Sequence, residues 1–215
     1  MAALTEDPAL GDTTFVVIDF EGTTPAGHPP QPIEVAALAL RRRAGQWTRV
    51  GEFESLMAPP DFAPLTPFDT QQTGITPAML EGAPSAAEAL AALDALLTDG
   101  PYLLVAHHAS TEGNMIYHAR QSCPTLAATD LLDTIPLAKR TLPGLANYQL
   151  DTLLAHYAIA RPTDRHRAMA DVRVTASLFT RLLTDAPGTL TTLQGLQAAA
   201  GRRAKANEPT QNSLF

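Results

Sequence analysis

The chain has 215 residues, 45% of them hydrophobic, which supplies one full-sized core and favours one domain with an appendage. Its formal net charge is −7, so bulk attraction to nucleic-acid phosphates has the wrong sign and any such binding rests on a local basic strip or on bound cations. The single cysteine, Cys123, excludes an internal disulfide. The N-terminus has no signal-peptide pattern, and no uninterrupted apolar run is long enough for a bilayer, so a cytoplasmic protein is expected.

Residues 1–12 read as a flexible leader. Thr14 to Phe20 reads as a strand, its apolar run from Phe15 to Ile18 leading into Asp19 and Glu21. Side chains two apart on a strand point the same way, so both carboxylates aim at one spot. Thr23 to Pro32 is a proline-rich loop. Ile33 to Leu40 and Arg49 to Met57 read as two further strands, with the turn over Arg41 to Gln46. Pro59 to Pro77 reads as irregular. Ser85 to Leu97 is a helix, Ser85 and Glu88 forming its capping box.

Tyr102 to Ala106 is a short apolar strand, Ser110 to Arg120 a helix, and Thr129 to Thr134 holds a short extended piece. Helices follow over Asn147 to Tyr157 and Ala168 to Leu183, and a shorter one over Thr189 to Ala200. Asp133 and Asp151 read as helix caps. The last fifteen residues read as a disordered tail. This order gives a mixed α/β sheet with a hairpin half and a crossover half, and a domain division of 1–12, 13–186 and 187–215.

Three segments carry the chemistry. The first is Asp19-x-Glu21, which alone fits a solvated strand end as well as a site. The second is HRAMAD: Asp171, Thr175, Leu178 and Leu182 share one helical stripe, so Asp171 points inward, while His166 falls on the preceding loop. The third is VAHHASTEGNMI, where His107, His108 and Glu112 lack the H-E-x-x-H spacing of a zinc site. Taken together, Asp19, Glu21, Glu112 and Asp171 fall at strand ends or early helix turns, where sites of α/β proteins gather. Four acids suit hard divalent cations, a cation pair can clamp a phosphodiester, and a histidine nearby can deprotonate water.

These segments resemble the DEDDh, DnaQ-like 3′–5′ exonucleases, the family that includes the proofreading epsilon subunit of bacterial replicative polymerase. VIDFEGTT matches the first motif and HRAMADVRVTASLF the third. IEVAAL, TGIT (73–76) and LLDT (131–134) resemble further family segments, so the likeness runs from Thr14 to Leu183. The second motif departs: the family reads A-H-N-A-x-F-D, and this chain has AHHASTE, with His108, Thr111 and Glu112 in place of asparagine, the aromatic and aspartate. The resemblance implies an RNase H-like fold with a central mixed five-stranded sheet. It implies two Mg²⁺ or Mn²⁺ ions on Asp19, Glu21, Glu112 and Asp171, and His166 as general base. The expected substrate is the 3′ end of single-stranded DNA or short RNA, with nucleoside monophosphates released. Phe20, Gly22, Thr23, His107 and Arg167 are the expected substrate contacts; Arg161, Arg165 and Arg173, also around the third motif, fit solvated surface charges as well as phosphate contacts. The alternative is a catalytically weak module that tethers nucleic acid to a clamp or polymerase. QNSLF, with Gln211, Leu214 and Phe215, resembles the peptide by which bacterial replication proteins bind the sliding clamp; Asn212 departs from that pattern.

Overall fold

The structure, a computed structural model, describes residues 3–25, 27–98, 100–162 and 167–208. Among them, six strands form one sheet: β1 (Thr14–Thr23), β2 (Gln31–Arg43), β3 (Gln46–Leu56), β4 (Tyr102–Ala106), β5 (Leu131–Asp133) and β6 (Gly201–Arg202), in the spatial order β3-β2-β1-β4-β5-β6. The expected hairpin half is antiparallel β1-β2-β3, and the crossover half is parallel β1-β4-β5. The sixth strand is a two-residue antiparallel addition to β5, drawn from the segment expected to be disordered.

The helices in chain order are α1 (Pro8–Asp12), α2 (Pro67–Thr73), α3 (Pro77–Leu80), α4 (Ala86–Asp94), α5 (Ser110–His118), α6 (Pro124–Ala128), α7 (Thr134–Thr141), α8 (Leu150–His156), α9 (Ala168–Thr184) and α10 (Leu193–Ala200). Ser85 and Glu88 form the expected capping box on α4. The irregular stretch contains α2, which sequence reading passed over. Its signal was Thr66, Pro67 and Asp69: N-cap, first-turn proline and box partner. The β2–β3 turn is tighter than expected, because Ala44 and Gly45 both take positive φ (46° and 81°), as a two-residue hairpin turn requires. Asp133 caps α7 as expected. Asp151 lies inside the first turn of α8 rather than at its cap, and pairs with Arg161 at 3.6 Å.

The leader is also folded in this structure. Asp7 caps α1, and Leu4 and Leu10 are buried against α9 and β2, because two leucines in a short helical segment have an apolar surface to cover.

Alternation along β1 divides the core. Phe15 and Val17 face α8, α9 and α10, whereas Val16, Ile18 and Phe20 face α4, α5 and α6. Continuing that alternation puts Asp19 and Glu21 on the α9 side. The expected stripe of Asp171, Thr175, Leu178 and Leu182 is buried along α9, so the two acidic segments meet across one layer. Phe15 anchors this layer, packing its ring on Phe179 (5.4 Å between centroids) and Trp47 (5.7 Å). Phe15→Ala is expected to cost about 3–5 kcal/mol of unfolding free energy, read as a lower urea midpoint at unchanged slope.

Candidate active site

The site forms where β1 and β4 end. Val17 of β1 is level with Val105 of β4 in the parallel pair, so Asp19 and His107 stand at matching depths beyond it. The β1–β2 ladder shifts register after Glu21, with Ile33 as the extra residue on β2. Gly22 sits at the irregularity, where a Cβ would come within 3.0 Å of the Met115 side chain and 3.1 Å of the Gln31 carbonyl oxygen. Glycine there lets β1 pass under α5 while holding its acids in place.

Asp19, Glu21 and Asp171 come together: each offers a carboxylate oxygen, and these atoms all lie within 4.8 Å of one another. Glu112 is outside that trio but enters from the first turn of α5, almost fully buried. Its Oε2 is buried with no hydrogen-bond partner among the described residues. Asp19 is held well above the usual carboxylate range, first by burial and then by the charges of Glu112, Glu21, Asp171 and Glu34. Burial pushes Glu112 up to about 8, with the Asp133 charge adding to it. A carboxylate trio, a fourth buried acid with a bare oxygen, and mutual repulsion on Asp19 are the donor set that an oxygen-preferring divalent cation satisfies.

Asp133 is the anchor beneath the second motif. It is 2% exposed and accepts hydrogen bonds from the backbone N–H groups of His108 (3.3 Å), Ala109 (3.2 Å) and Ile135 (2.9 Å), and from Arg202 Nε (3.3 Å). It thereby ties the β4–α5 turn, which carries His107 and leads into the helix turn of Glu112, to the start of α7 and to the edge strand. Thr134 Oγ1 meets His107 Nδ1 at 2.8 Å and orients the ring. His107 and His108 also line an open cleft of about 540 Å³, together with Lys139, Tyr148 and Gln149.

Phe20 packs in the core on the α4–α5 side, and Thr23 is buried with its hydroxyl unpartnered among the described residues. The Arg167 guanidinium binds Glu34, and Arg173 is exposed on α9. His166, Arg165, Gln211, Leu214 and Phe215 lie outside the described residues. Sequence reading missed Glu34, a fully buried acid at the second place of IEVAAL. It gave Asp133 only a capping role, although an acid in the apolar run LLDT is the kind of residue that must be satisfied by several donors.

A family model described as RNase_T, exonuclease, matches residues 16–179. A PolC-type DNA polymerase III of Thermotoga maritima is 34% identical over 185 residues, 84% of this chain and 12% of the polymerase. The PolC-type enzyme of Bacillus subtilis is 30% identical over 179 residues, 82% of this chain and again 12% of the relative. This chain thus spans about one eighth of the length of these relatives. Among solved structures, the nuclease domain of 3′hExo, a DEDDh family member bound to rAMP, aligns with a TM-score of 0.67 at 19% identity, covering 83% of this chain and 94% of that one. Exonuclease I aligns with a TM-score of 0.61 at 23% identity, covering 80% of this chain and 42% of that one. These likenesses show the RNase H-like fold, and among the described residues its sheet has six strands in place of the expected five.

The raised carboxyls set a pH dependence. In the metal-free protein Glu112 holds its proton to about 8 when folded and releases it near its ordinary range when unfolded. The folded state therefore binds more protons in that window, and stability falls as pH rises through it. In chelator, the melting temperature of the wild type is expected to drop more between about pH 5 and pH 8 than that of Glu112→Gln, and Mn²⁺ should shrink the difference. Parallel melting profiles for the two proteins would contradict this.

Proposed function

The chain belongs to the RNase_T exonuclease family, the DEDDh, DnaQ-like 3′–5′ exonucleases, and on that footing we propose that it removes nucleotides from the 3′ end of single-stranded DNA or short RNA as 5′-monophosphates. The observation that carries the proposal is the trio of Asp19, Glu21 and Asp171, drawn from residues 152 positions apart in sequence onto one face of the sheet. Asp19, Glu21 and Asp171, with Glu112 behind them, would hold two Mg²⁺ or Mn²⁺ ions. When bound, such ions supply positive charge to the phosphodiester and acidify water.

The chain's own residues do the rest. Water adds to phosphorus and the 3′-oxygen of the penultimate nucleotide leaves. The water proton passes to His166, whose place two residues before the start of α9 and five before Asp171 supports the role of general base. The backbone around Gly22 and Thr23, at the end of β1, receives the terminal nucleotide. His107, held by Thr134, borders the cleft that leads on to Lys139 and Tyr148, a wall with one cation and one aromatic ring for the preceding nucleotides. The sliding clamp is proposed as a partner of Gln211, Leu214 and Phe215, supported by the QNSLF pattern alone. No described helix is long and apolar enough to cross a membrane.

A 5′-labelled oligonucleotide tests the reaction. In Mg²⁺ or Mn²⁺ the wild type should give a ladder shortening from the 3′ end, absent in EDTA. Asp19→Ala should lose at least about 10³-fold in kcat, whereas Glu112→Asp should stay active and move kcat by about 10-fold or less. No ladder on DNA or RNA would instead favour the tethering module. For the clamp, deleting Leu214 and Phe215 should abolish its recovery in a pull-down; equal recovery would remove it as a partner.

A further inference from the structure

Glu34 of β2 stands directly across from Glu21 of β1, so the two side chains share the face that α9 covers. Glu34 has no exposed surface. Its carboxylate accepts from Arg167 Nε at 3.0 and 3.2 Å, from Arg167 Nη2 at 2.6 Å, and from the backbone N–H of Ala168 at 2.8 Å. Ala168 is the first residue of α9, and Arg167, its N-cap, provides no side-chain cap of its own. A carboxylate from a strand 134 positions away in sequence therefore does the capping, satisfying a first-turn donor and placing negative charge at the N-terminus of a 17-residue helix. Glu54 of β3 approaches the same guanidinium at 4.0 Å. The backbone N–H of Asp171 then bonds to the Arg167 carbonyl at 3.2 Å, so the clamped residue is the one on which the Asp171 turn is built.

The acids around Asp19 thus divide in two. Glu34 contributes to the field on Asp19, yet its oxygens are filled by a guanidinium and an amide, so it is chemically unsuited to bind a cation. We infer that Glu34 is a positioning residue: through Arg167 and the Ala168 amide it sets how deep the first turn of α9 sits, and hence how closely Asp171 approaches Asp19 and Glu21. The inference rests on the exonuclease reading for its effect on turnover, and on the clamp geometry alone for its effect on the helix. Arg167, at the end of the segment that carries His166, is then the outer, partly exposed half of the clamp. Glu34→Gln removes the charge at nearly constant volume and turns an acceptor toward Arg167 into a donor.

The test uses the full chain and the variants Glu34→Gln, Arg167→Lys and Arg167→Ala. Three quantities are read: Mn²⁺-supported hydrolysis of a labelled single strand, Mn²⁺ affinity by paramagnetic resonance, and hydrogen exchange of amides 168–171. Glu34→Gln should lower kcat by about 10-fold or more with KM within about 3-fold, because misplaced ligands cost turnover rather than strand binding. It should weaken Mn²⁺ binding and speed exchange in the first turn of α9 while leaving its last turn unchanged. Arg167→Lys should keep more kcat than Arg167→Ala, a graded rescue that general destabilisation does not give. Wild-type kcat, Mn²⁺ affinity and exchange in Glu34→Gln would overturn the inference, and if that variant does not fold, the same three readings on Arg167→Lys decide. A wild type without hydrolysis would sink the exonuclease reading separately, with exchange and Mn²⁺ affinity still judging the clamp.

Discussion

Crowding of like charge at the end of β1 is the constraint around which this molecule is arranged. Asp19 lies in the field of Glu112, Glu21, Asp171 and Glu34, and every one of those charges raises its pKa. Such a cluster repels itself apart unless the backbone carrying it is stiff. Stiffness comes from the layers beneath. β1 is paired on both sides along Thr14 to Val17, its alternating side chains are locked into two cores, and α9, with twelve buried residues, packs on β1 and β2. The apolar core holds together a site that would otherwise push its own strands and helix away from one another.

Two further acids carry the load in the opposite sense. Glu34 and Asp133 are as buried as any residue at the site, but each is filled with donors: a guanidinium and an amide for Glu34, three amides and a guanidinium nitrogen for Asp133. A buried carboxylate filled by three or four donors is satisfied and rigid, whereas one with a bare oxygen suits a cation. Glu34 fixes the start of α9 and so Asp171; Asp133 fixes the β4–α5 turn and so His107 and Glu112. Each of the later motifs thus has its own anchor, reached through backbone amides as well as side chains.

This division explains what was legible in the chain. Asp19, Glu21 and Asp171 could be assigned to one site because each breaks a pattern, two at the end of an apolar strand and one on the apolar stripe of a helix. Their meeting was readable because strand ends and helix starts share an edge in α/β sheets. Glu34 breaks a pattern just as clearly within IEVAAL, but nothing local to it reveals that its partner is Arg167. That contact depends on β2 being long enough to reach the start of α9, a matter of tertiary register. The N-terminal segment was misread for a related reason: Leu4 and Leu10 are too few to make a periodicity, and only the groove between α9 and β2 gives them a place to be buried. The tight β2–β3 turn escaped because alanine at its first position is a weak signal for positive φ.

The altered second motif takes on a physical meaning in this frame. His108 adopts φ of 72°, in the left-handed region. Asparagine, which the family pattern has there, enters that region readily, and histidine does so at small cost. Here the His108 ring is also tied to Thr111 Oγ1 at 3.2 Å, two departures from the pattern compensating each other across one helical turn. The backbone that Asp133 holds is therefore kept, and the change at position 108 is conformational. Glu112 differs in kind. Its extra methylene moves a carboxylate within a cavity where burial and the Asp133 charge already favour the protonated form. Of the departures from the family pattern at 108, 111 and 112, it is the one that changes the reach of a carboxyl group acting on Asp19, whereas those at 108 and 111 keep the backbone of the loop that precedes it.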